Sequence, residues 1–109
     1  MFVKNIQKII DIISKSLNAQ DNKDWTLSEE NKNIIEVKFV CQDSSIIQIH
    51  IQINNRDMEL VLQTEDFKKN LSIDKFISNF EYYLEQEFLN NIKIKTVNNG
   101  NFVTLLITD

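Results

Sequence analysis

Proline is absent from this chain of 109 residues, and glycine, histidine and cysteine occur once each. Each shortage excludes something. A lone cysteine, Cys41, makes no internal disulfide, so the expected setting is a reducing, cytoplasmic compartment. One glycine rules out a glycine-rich loop for phosphates. Cys41 and His50 together fall short of a zinc ligand set, and no metal or other cofactor is expected. Long apolar runs are missing too, so nothing approaches the ~20 residues of a membrane span. Met1–Phe2–Val3–Lys4 leads into an amphipathic pattern rather than a secretory leader. Basic surplus is also lacking, with 12 Lys and Arg against 16 Asp and Glu and a net charge of −4. Direct binding of nucleic acid, which depends on cations that displace counterions from phosphate, is therefore not expected. The local basic clusters are Lys68–Lys69 and Lys93/Lys95. A mildly negative surface suits basic partners instead.

What the chain does contain is 42% hydrophobic and 26% charged residues, the composition of one folded domain over residues 1–109. Phe2, Ile6, Ile9, Ile10, Ile13 and Leu17 recur along one helical face, and the polar run from Asn18 to Asp24 ends that helix. Trp25–Thr26–Leu27 reads as a short extended piece. Period-two alternation then predicts strands at Ile34–Cys41, Ile47–Ile53 and Met58–Gln63. The links Gln42–Ser45 and Asn54–Asp57 are too short for parallel crossovers, so the three strands form an antiparallel meander. A second helix begins after Ser72, a candidate N-cap, with Ile73, Phe76, Ile77, Phe80, Leu84 and Phe88 as its apolar stripe. Two further strands, Ile92–Val97 and Phe102–Thr108, flank Asn98–Asn99–Gly100–Asn101, a hairpin signal. The expected fold is α+β, with a single sheet carrying both helices on one face.

Catalytic provisioning is sparse. The alternation puts His50 with Gln48 and Gln52, opposite the isoleucines, whereas Cys41 falls on the apolar face as a small hydrophobe. The carboxylate pairs Glu29–Glu30, Glu65–Asp66 and Glu85/Glu87 lie on segments where neighbours diverge. The expectation is a protein that is not an enzyme and works by recognition. Two surfaces are candidates. One is aromatic: Tyr82 points away from its helix stripe, while Tyr83 and Trp25 read as core or edge packing. The other is electrostatic: Asp24, Asp43, Asp57, Glu59, Glu65 and Asp66 sit in or near the connections around the sheet.

Val37–Lys38, Asp43–Ser44–Ser45–Ile46, Gln48, Ile51, Asn54–Asn55, Glu59, Val61 and Lys75–Phe76–Ile77–Ser78 with Phe80 resemble a small phage-encoded anti-CRISPR family, as does Lys23–Asp24–Trp25–Thr26. The resemblance spans about Val37 to Phe80. It implies a non-enzymatic inhibitor of the type II RNA-guided CRISPR nuclease, a basic nucleic-acid-handling protein whose PAM-reading site an acidic mimic would occupy. On that resemblance Asp24, Asp43, Asn54, Asn55 and Glu59 face the partner. The chain departs from the family at Arg56, where an acid followed by glycine is usual, and in carrying an extra C-terminal hairpin. The element order also resembles type III secretion chaperones, homodimers that cradle an effector segment, and the composition suits a toxin-neutralising immunity protein. An inhibitor is expected to be a monomer or a homodimer bound to a protein partner.

Overall fold

In the computed structural model the described residues are 6–22, 25, 27, 29–30, 33–54, 56–68, 71–88 and 92–108. Helix α1 (Ile6–Leu17) is followed by strands β1 (Ile34–Val40), β2 (Ile46–Ile53) and β3 (Asp57–Gln63). A 3-10 turn at Thr64–Phe67, which the periodicity did not announce, precedes helix α2 (Ile73–Phe88). Strands β4 (Lys93–Asn99) and β5 (Phe102–Thr108) complete the chain. All strand pairs are antiparallel, in the order β1-β2-β3-β5-β4. The α+β architecture with one sheet is as the periodicity predicts. The returning hairpin docks by its second strand, so β5 lies inside the sheet and β4 forms an edge.

Local chemistry explains the boundaries. Helix α1 ends where Asn18 takes a left-handed φ of 55°. Ala19 N–H then donates to the Ser14 carbonyl at 2.8 Å and Asn18 N–H to the Lys15 carbonyl at 3.2 Å, the paired bonds of a Schellman motif. Ser72 caps α2 as expected, its Oγ accepting from Lys75 N–H at 3.1 Å. Gly100 has φ +61° and Asn101 has no positive φ, the pattern of a hairpin turn with glycine at its first central position.

One face of the sheet is dry. Ile35, Val37, Phe39, Ile47, Ile49, Ile51, Ile53, Met58, Leu60, Leu62, Val103, Leu105 and Ile107 are buried beneath the helices. Ile9, Ile10, Ile13 and Leu17 of α1 and Phe76, Phe80 and Leu84 of α2 cover them in one cluster. Phe76 stacks on Phe80 at 5.7 Å between ring centres and meets Phe67 at 5.6 Å. The helices run antiparallel, because Lys8 pairs with Glu87 at 2.6 Å while Asn79 Nδ2 donates to the Ser16 carbonyl at 3.4 Å. Trp25 and Tyr83 pack against this cluster. Tyr83 also lies 4.9 Å beneath the Lys15 ammonium.

Candidate interaction surfaces

Strand register sets out the other face row by row. Glu36, His50, Val61, Thr104 and Val97 form one row, and Ile34, Gln52, Glu59, Leu106 and Lys95 the next. No element covers this face among the described residues. Polar side chains alternate on it with apolar ones that sheet patterning alone would not put in water. Val97 is 46% exposed and Phe102 44%, and the register makes them diagonal neighbours across the β4–β5 hairpin. Ile46 and Val40, opposite each other at the β1–β2 end, are exposed as well.

The structure disperses the residues singled out from the sequence. Asp43 lies in the β1–β2 turn, where its Oδ1 accepts from Ser45 N–H at 3.0 Å. Asp66, in the 3-10 turn, accepts from Gln48 N–H at 3.2 Å and so holds the backbone of β2 where β3 has ended. Glu65 pairs with Lys68 at 3.0 Å. These three acids share one end of the sheet, and each is engaged locally. Asn54 stands at the opposite end, where its N–H donates to the Asp57 carbonyl at 2.8 Å. Glu59 lies between, on the bare face, opposite Gln52 and Leu106. Tyr82 is 57% exposed on α2, on the helical side of the molecule, its ring edge-on to Tyr83. Asp24 and Asn55 lie outside the described residues. Those within the described residues therefore occupy both ends and both sides of the sheet rather than one patch.

Reactive groups are equally separated. Cys41 is buried against the core. Burial raises its thiol pKa from the ordinary 9.0; a hydrogen bond with Ser45 works against this and the Asp43 carboxylate adds to it. His50 is on the bare face, its Nε2 3.3 Å from Glu36 Oε1. The two side chains project from opposite faces, and the register sets Cys41 five positions along from Glu36, the cross-strand partner of His50. That spacing is about 17 Å. No group of three or more His, Cys, Asp and Glu able to hold a metal occurs among the described residues. Nor is any helix of the described residues long and apolar enough to cross a membrane. A shallow groove of about 860 Å³ runs on the helical side between α1 and α2, bordered by Lys8, Asp11, Lys15, Tyr82 and Gln86.

Exposed Val97 and Phe102 were not singled out from the sequence, where they belong to period-two strands and no local signal shows that the face they occupy is left uncovered. Compared with known protein families, curated proteins and solved structures, the chain matches none.

Proposed function

We propose that this chain is a non-enzymatic inhibitor that binds a basic nucleic-acid-handling nuclease, of the CRISPR effector class that the sequence resemblance implies, and blocks its nucleic-acid recognition or cleavage. The bare sheet face carries the binding half of this reading. Five strands of seven or eight residues make a plate about 19 Å wide and 24 Å long. Exposed Val97 and Phe102 form an apolar corner at the β4–β5 hairpin, and Glu59, Lys95 and the Glu36–His50 pair spread polar and charged groups over the rest of the face, the mixture a protein-binding surface uses. The distance between Cys41 and His50 supports recognition rather than turnover.

The nuclease half rests on the resemblance and on a net charge of −4, which suits a positively charged channel. With Asp43, Glu65 and Asp66 tied into local structure at one end of the sheet, the reading favours occlusion by a face over imitation of a regular phosphate array. The partner is then a protein met in a cytoplasm, with neither cofactor nor nucleic acid bound directly. Purified protein added to guide-loaded type II nucleases should stop DNA cleavage in at least one subtype. Val97→Asp with Phe102→Asp should weaken that inhibition at least tenfold while leaving the circular dichroism spectrum unchanged. Unimpeded cleavage across the subtypes overturns the proposal.

A further inference from the structure

The two edges of the sheet are treated differently. Along β1 the chain closes its own edge. Leu27 bridges to Ile35 and Ala19 to Cys41. Gln20 N–H donates to the Val40 carbonyl at 2.9 Å and Asn22 Nδ2 to the Lys38 carbonyl at 2.6 Å. Strand β4 has no such cover among the described residues, although it is a regular strand of seven residues without proline. Apart from half-buried Ile94, every residue of β4 is exposed, and its outer N–H and C=O groups stand ready to pair.

Its side chains define what fits. On the bare face β4 presents Lys93, Lys95 and Val97, and the residues opposite on β5 are the neutral Thr108, Leu106 and Thr104. The acids of the described residues nearest on that face, Asp57 and Glu59, belong to β3. That is two strands away, about 10 Å. Neither lysine forms an ion pair among the described residues.

A second copy of this chain is a poor occupant. Antiparallel self-pairing centred on Thr96 would set Lys95 diagonally beside the same lysine of the other copy, and edge lysines commonly protect against such pairing. An incoming strand with acidic residues at alternate positions removes the conflict.

We infer that the free edge of β4 takes up an extended, acidic segment of a partner protein as a sixth strand. Backbone hydrogen bonds supply the pairing. Lys93 and Lys95 select carboxylates at positions i and i+2, and Val97 selects an apolar residue at i+4. This does not depend on the partner being a nuclease, so a failure of either idea leaves the other standing.

The test is an amide NMR titration of the intact protein with two capped nine-residue probe peptides. In one, Glu alternates with Thr and Val; in the other, Lys replaces Glu. The Glu peptide should shift and protect the outward amides of β4, and the Lys peptide should not. Lys93→Glu with Lys95→Glu, both exposed and safe for folding, should weaken the Glu peptide about tenfold and admit the Lys peptide. Equal responses to both peptides, no response, or shifts centred on the α1–α2 groove overturn the inference. So does concentration-dependent protection of β4 without peptide, which would mean that a second copy occupies the edge.

Discussion

At the scale of single residues, two side chains sit where their chemistry is under tension. The buried Cys41 thiol holds its proton to higher pH than an exposed one. As pH climbs past the ordinary value of 9.0, the unfolded chain loses that proton before the folded one does. The stability linked to this group is complete below that pH and is lost above it, until the folded thiol also ionises. Cys41→Ala should therefore show a shallower loss of denaturant-measured stability above about pH 9 than the natural chain, with parallel curves below. Curves parallel throughout would mean that the thiol is not desolvated. Ser44 carries the other strain, a left-handed φ of 72° in the β1–β2 turn. Ser44→Gly should raise stability by about 0.5–1 kcal/mol, read as a higher urea midpoint at unchanged slope. A lower midpoint would show that Ser44 contributes more through contacts than its backbone costs.

At the scale of elements, the sequence was legible wherever one face was wet and the other dry. The alternation at Ile47, Ile49, Ile51 and Ile53 and the stripe Phe76, Phe80, Leu84 correspond to buried positions. The Ser72 cap was readable because an N-cap needs only a local hydroxyl. Ser72→Ala should lower the thermal midpoint, a loss of about 1 kcal/mol, and Ser72→Asp should restore it. A variant as stable as the natural chain would mean that packing alone holds α2. The rest was obscured for physical reasons. The 3-10 turn at Thr64–Phe67 is too short for any period, and the docking of β5 rather than β4 against β3 depends on contacts distant in sequence. The candidate site was least legible. Asp43 and Asp66 look like free charges in a list of residues, yet each accepts a backbone hydrogen bond that completes a turn or a strand end.

At the scale of the whole molecule, the two helices of the described residues serve one side of the five-stranded sheet, and no described element covers the other. An isolated domain of this size gains nothing from exposed Val97 and Phe102, since apolar surface left in water forgoes about 25 cal/mol per Å² of burial. A partner resting on that face would recover it. The most direct measurement is the affinity of this protein for a guide-loaded type II nuclease, by isothermal titration, with and without saturating PAM-bearing DNA. The account predicts one-to-one binding that the DNA suppresses and that Val97→Asp with Phe102→Asp weakens at least tenfold. Binding untouched by both that pair of substitutions and the DNA would contradict it.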